Sequence, residues 1–336
     1  MEDRSIVLTT KPGASLRITI HLAETPHNNP LSNTLLLFLN GLVLPRSSWS
    51  PAISHLLSTR TQSNSPIPNI LTYDRYGQGD SDPDPTDDDD DDPKTNPYGH
   101  DVLSVITDLH HLLAQLSFNS PQITRLLIVA NSIGCPLARL FLTTPTPTTT
   151  LSSSCSLLFL DSMIANTDFV SLFPDPDSPS FDPAAIPPDI TIQDLRHARE
   201  QFRTYFHPSV PNPERLDRRN LPQLLPHADE PKLLSSSESE PKKLVVVGHD
   251  WDEFADQCEK GSLSVSKAVI NAYLNPAWAK YNEGLTTLLT PAGSEPDQKN
   301  QVKIAKGCGH FIQRDDPVFV AREINNLLDD LLQPQL

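Results

Sequence analysis

Apolar positions along the chain fall into short runs separated by turns rich in Gly, Pro, Asn and Asp. Residues 5–10 and 15–22 flank Lys11-Pro12-Gly13 and predict a β-hairpin. Residues 35–39, 70–74, 125–130, 157–160, 243–247 and 301–305 predict six more strands. Several of these are apolar without alternation, the mark of strands covered on both faces. Val102, Val105, Ile106, Leu109, Leu112, Leu113 and Leu116 instead recur at helical spacing and predict a helix with one buried face. Residues 133–142, 264–285 with an interruption near Pro276, and 318–332 predict further helices. Strands alternating with helices define an α/β fold: a mostly parallel, eight-stranded sheet with helices on both faces.

The pattern changes between residues 164 and 242. Periodicity weakens, Pro and Ser rise, and Phe169, Phe173, Phe181, Phe202, Tyr205 and Phe206 appear, with one helix predicted over 190–206 and a polar linker at 235–240. This stretch interrupts the alternation after the sixth strand. It reads as an inserted helical cap over the C-terminal edge of the sheet, where open α/β sheets place their ligands. The organisation expected is core 1–163, cap 164–242 and core 243–336.

Composition narrows the function classes. The 336 residues carry a net charge of −16, which argues against nucleic acid and anionic membrane partners. Part of that charge is the run Asp87 to Asp92, read as a solvated loop; it lacks the spaced ligands and glycine of a known calcium loop. Cys135, Cys155, Cys258 and Cys308 form no CxxC pair, so zinc and redox motifs are unsupported, and packing roles are expected for Cys135 and Cys308. The charged start Met1-Glu2-Asp3-Arg4 precedes no long apolar segment, and no run approaches a membrane span. A reduced, cytoplasmic protein acting on a small molecule is the expectation.

Four short segments carry candidate chemistry. In Ala130-Asn131-Ser132-Ile133-Gly134 a strand runs in and a helix leaves. Small residues two before and two after the Ser let strand and helix approach, as in the G-x-S-x-G nucleophile elbow, with Ala130 for the first Gly. Taken alone, such a Ser is more often a helix cap. Gly307-Cys308-Gly309-His310-Phe311 follows the last strand and can deliver His310 to the elbow as general base; the other ten histidines read mostly as surface residues. Strand 243–247 ends at Gly248-His249-Asp250-Trp251-Asp252-Glu253, where three carboxylates compete to orient His310. Asp250 lies nearest the strand end and is the expected partner. Asp161, after the preceding strand, is an outside candidate that reads rather as a turn cap. Leu39-Asn40-Gly41-Leu42 closes the third strand. It reads as an ordinary turn, or as the oxyanion turn in which the Leu42 N–H joins that of Ile133.

With these segments in hand, the chain resembles the α/β-hydrolase superfamily, in the branch of epoxide-hydrolase-like and esterase-like members with a helical cap. The resemblance rests on Leu39-Asn40-Gly41, on Tyr73-Asp74-Arg75-Tyr76-Gly77-Gln78-Gly79-Asp80-Ser81-Asp82, on the elbow and on Gly309-His310-Phe311. The chain order Ser132, Asp250, His310 is that of the family. The resemblance implies that Asn40 stands where many relatives carry His and that Asp74 and Arg75 brace a turn. It also implies that epoxide hydrolases and haloalkane dehalogenases carry Asp at the elbow. Ser132 there implies acyl chemistry: a serine esterase with the catalytic triad Ser132, Asp250 and His310 and an oxyanion hole at Leu42 and Ile133, needing no metal or cofactor. Acyl transfer by the same residues and a non-catalytic binding module are the rival readings. The cap aromatics read either as an apolar substrate pocket or as the cap's own core.

Overall fold

Residue-by-residue alternation decides which layer each strand side chain enters. In the computed structural model, which describes residues 1–24, 29–87, 97–116, 123–144, 154–233, 243–290 and 301–333, the strands in chain order are β1 (Glu2–Val7), β2 (Ser15–His21), β3 (Thr34–Leu39), β4 (Asn69–Tyr73), β5 (Arg125–Ser132), β6 (Ser154–Ser162), β7 (Leu244–His249) and β8 (Lys303–Ala305). Leu35, Leu37 and Leu39 of β3 join one buried cluster while Leu36 and Phe38 join another. On β5, Leu126, Ile128 and Ala130 likewise part from Leu127 and Val129. Successive strand residues point to opposite faces, so a run with no polar member needs cover on both sides. The strands form one sheet in the order β1-β2-β4-β3-β5-β6-β7-β8. The β1–β2 and β2–β4 pairs are antiparallel and the other five are parallel.

The helices in chain order are α1 (Ser50–Gln62), α2 (Val102–Leu116), α3 (Gly134–Thr143), α4 (Ile192–Tyr205), the single turn α5 (Leu221–Leu224), α6 (Trp251–Lys260), the short α7 (Lys267–Val269), α8 (Asn275–Leu285), the single turn α9 (Ile312–Asp315) and α10 (Pro317–Asp330). Apolar residues of α1 and α10 cover one face of the sheet, and those of α2 and α3 cover the other. Two of the longer helices lie outside the pattern-based expectation, as do the single turns α5 and α9. In α1 the apolar stripe is narrow: Ala52, Ile53 and Leu56 are buried, together with Arg60, beneath a Ser/Thr-rich surface. The other, α6, begins directly after β7 and is nucleated by Asp250, whose side chain accepts from the Asp252 N–H. Near Pro276 the helix does not break. Ile270–Leu274 form a π-helical turn that leads into α8, with the proline in its first turn. The proline has no N–H to donate, and the wider turn accommodates it.

Between β6 and β7 lies the insert. Its main helix, α4, opens with a capping box of Thr191 and Asp194 and buries Leu195, Ala198 and Phe202. The expected linker at 235–240 and Asp88 to Asp92 of the acidic run lie outside the described residues. Among the described residues no helix is long and apolar enough to cross a membrane.

Candidate active site

Ser132 ends β5 in the left-handed region, at φ 54°. A non-glycine residue there is strained and needs its surroundings to hold it. The neighbours explain the geometry. A Cβ on Gly134 would lie 2.3 Å from the Leu39 carbonyl oxygen, so α3 can start this close to β3 only with glycine. Ala130 is wholly buried, with Cys135 Sγ 3.3 Å from its carbonyl oxygen. Asn131 ties the elbow to its surroundings. Its Nδ2 donates to the carbonyls of Leu160 (2.9 Å) and His310 (3.1 Å), and its Oδ1 accepts from Gln313 Nε2 at 3.1 Å. The backbone bearing His310 is thereby fastened to the residue before Ser132.

The carboxylate on His310 is Asp161, not Asp250. Asp161 sits near the end of β6 at φ 44°, fully buried, and Oδ2 accepts from His310 Nδ1 at 2.6 Å. Asp250 is committed elsewhere. Its oxygens accept from the N–H of Asp252 (3.1 Å) and of Gly307 (3.2 Å), and its own N–H donates to the Cys308 carbonyl at 2.8 Å. It therefore caps α6 and braces the loop that carries His310. Partial burial would raise the Asp250 carboxyl, but those N–H donors hold it below its usual value. Asp252 is exposed, pairing with Lys267, and Glu253 accepts from Gln257.

A second histidine, from the group expected mostly at the surface, is buried and completes the cluster. His249 is buried at the end of β7, with Nδ1 2.9 and 3.0 Å from the two Asp161 oxygens and Nε2 3.0 Å from Asn275 Oδ1. Burial would raise Asp161; the His249 charge and the hydrogen bonds from both histidines hold it at about 2. Burial would lower His249; Asp161 and Asn275 outweigh it and raise it above its ordinary value. Trp278 presents its ring 5.2 Å from that of His310 and 5.4 Å from that of His249, and its Nε1 donates to the Ser162 carbonyl at 2.7 Å.

The turn after β3 is held from behind. Arg75 donates to the carbonyls of Asn40 and Gly41, both at 2.9 Å, and Gln78 Nε2 donates to Gly41 at 3.0 Å. In a trans peptide the N–H points opposite to the C=O, so the Leu42 N–H faces away from Arg75. A Cβ on Gly41 would lie 3.4 Å from Ser132 Cβ, which places this turn against the elbow. Ile133 opens α3, and a helix N-terminus favours developing negative charge.

Glu214 of the insert had no sequence signal. Its buried carboxylate pairs with Arg75 at 2.9 Å, accepts from Gln78 Nε2 at 2.7 Å and accepts from the Val43 N–H. The insert thus grips the same turn. Of its aromatics, Phe173 and Phe202 pack on each other at 4.8 Å and are buried, whereas Tyr205 and Phe206 are exposed. A cavity of about 630 Å³ opens beside Asp250 and Trp251; its lining includes His249 but neither Ser132 nor His310. Cys135 and Cys308 are buried, and burial pushes both thiols up, Cys308 to about 11, as befits packing residues.

The sequence model of the Alpha/beta hydrolase family matches residues 36–323. No curated protein matches the chain. Among solved structures, a laboratory-evolved variant of potato epoxide hydrolase is similar at 16% identity and TM-score 0.53, covering 98% of this chain and 99% of that one. A mutant of Vigna radiata epoxide hydrolase is similar at 15% identity and TM-score 0.50, covering 98% of both chains. At these identities the likeness is one of fold.

Proposed function

The chain belongs to the alpha/beta hydrolase family, and from that premise we propose that it is a serine hydrolase cleaving an ester or related acyl bond of a small, apolar molecule. The observation that carries this reading is the 2.6 Å contact of Asp161 with His310 Nδ1, on a loop fastened to the strained Ser132 turn. An imidazole held at Nδ1 presents Nε2 as the base.

In this mechanism His310 Nε2 takes the Oγ proton as Ser132 bonds to the carbonyl carbon. The carbonyl oxygen becomes an oxyanion facing the N–H groups of Leu42 and Ile133, each contributing on the order of 3 kcal/mol. Collapse breaks the bond to the leaving alcohol, which takes the proton from His310. Water then gives a proton to His310 and attacks the acyl-enzyme, and collapse releases the acid and restores Ser132. Asp161 keeps its charge throughout and stabilises the His310 imidazolium. Two solved structures similar to this chain are epoxide hydrolases by name, and epoxide opening through an alkyl-ester intermediate needs a carboxylate at the elbow. Ser132 has none, so acyl transfer to water is favoured. The insert, 164–242, acts as a cap, with Trp278 and Phe169, rings 6.1 Å apart, as an apolar wall beside His310. Four buried cysteines with no CxxC pair suit a reducing, cytoplasmic setting.

Fluorophosphonate labelling of Ser132, followed by a screen of ester, thioester, lactone and amide substrates, tests the reading. Ser132→Ala should lose the label and lower ester turnover by at least ~10³-fold with an unchanged circular dichroism spectrum. Ester turnover retained in a clean preparation of that variant would sink it.

A further inference from the structure

His249 has hydrogen-bond acceptors at both ring nitrogens. Asn275 Nδ2 donates to the Trp251 carbonyl at 3.2 Å and to Asn271 Oδ1 at 2.7 Å. A backbone carbonyl can only accept, which fixes the orientation of the amide and turns Asn275 Oδ1 toward His249 Nε2. That nitrogen must therefore carry a proton. On the other side Nδ1 faces both Asp161 oxygens, which also accept from His310 Nδ1 and from the His249 backbone N–H at 3.3 Å. A carboxylate receiving this many donors is in its ionised form, so Nδ1 must carry a proton as well. An imidazole protonated at both nitrogens is a cation.

We propose that His249 is a fixed imidazolium, a positioning residue that keeps the Asp161 carboxylate ionised and aimed at His310 Nδ1. This rests on the serine-hydrolase reading above. The cavity that His249 lines also carries Asp252, Glu283 and Lys306. The titratable groups facing His249 are Asp161 from β6, Asp250 next in the chain and, across Asp161, His310. From α6 and α8 come Phe254, stacked at 4.2 Å, the edge-on Trp278 and Asn275. The charged ring meets both Asp161 oxygens, so the carboxylate stays ionised and cannot turn away from His310 Nδ1.

The charge itself is read in the intact protein by nitrogen-15 NMR of labelled histidines, with His310→Gln used for assignment. At about pH 8, above the ~6.5 of an unperturbed histidine, both His249 nitrogens should give protonated-type shifts and one-bond N–H couplings. A neutral tautomer would overturn the proposal whatever the enzyme's activity. His249→Asn keeps an N–H toward Asp161 without the charge. Asn275→Ala is milder, since Nε2 then no longer needs a proton. Both should slow Ser132 labelling in the folded protein, by about tenfold for His249→Asn. A lower melting temperature with an unchanged labelling rate in either folded variant would reduce His249 to a structural role. If wild-type Ser132 takes no label at all, it is the serine-hydrolase reading that fails, and the NMR result still decides the charge.

Discussion

Asp161 and Asp250 are alike in chemistry and both stand at strand ends, so what separates them is where the backbone aims each carboxylate. Asp250 has extended backbone, φ −74° and ψ 123°, which turns its oxygens onto the N–H groups of the helix it opens. Asp161 sits at φ 44°, and its carboxylate reaches the two imidazoles. Asp161→Asn should lower turnover of an activated ester by about 10³–10⁴-fold, because the amide no longer stabilises the charged His310. Asp250→Ala should cost less than about tenfold in turnover and lower stability by about 1 kcal/mol through the lost cap. Steady-state kinetics and thermal melts of the two variants check this; the reverse order would reinstate Asp250.

At the scale of elements, the turn after β3 depends on groups far from it in the chain. Arg75 and Gln78 follow β4, while Glu214 lies in the insert, 139 positions beyond Arg75. Both partners of the Arg75–Glu214 pair are almost wholly buried. Removing one charge leaves the other stranded, at a cost of about 3–5 kcal/mol. Glu214→Gln should therefore lower the melting temperature. It should also reduce kcat more than it raises KM, since in the proposed mechanism the turn it steadies offers the Leu42 N–H to the transition state. A variant that melts lower yet keeps its kcat would show that the insert supports folding without supporting the oxyanion turn.

Over the whole molecule, buried histidines of opposite sense make stability depend on pH. His249 is raised in the folded state. Its contribution is full below the unfolded value of ~6.5 and is lost as pH rises through its folded value. His110 is held down at about 4, chiefly by burial, and so costs stability as pH falls below ~6.5. Asp161, held at about 2, contributes above ~3.9 and ceases to contribute as pH falls toward 2. The difference in melting temperature between wild type and His249→Asn isolates His249, because His110 is common to both. That difference should shrink as pH rises above ~6.5. A difference constant with pH would mean that His249 gains no proton on folding.

The sequence alone determined what depends on neighbours along the chain. Strand runs, the α2 stripe and the close spacing around Ser132 are local, because side-chain period and backbone crowding are set within a few residues. The turn before the elbow and the Gly-flanked His310 were legible for the same reason. Helix α1 was not, because its narrow stripe takes meaning only from the sheet face it covers. Only the tertiary structure decided which acid meets His310. Asp161, Asp250, Asp252 and Glu253 all follow or end apolar strands, and pattern cannot show where a side chain points across a sheet. The same holds for His249 and Glu214, whose partners lie 88 and 139 positions away along the chain. Long-range pairing of buried charges leaves no local periodicity, since it is fixed by how strands β3 to β8 and the insert come together in space.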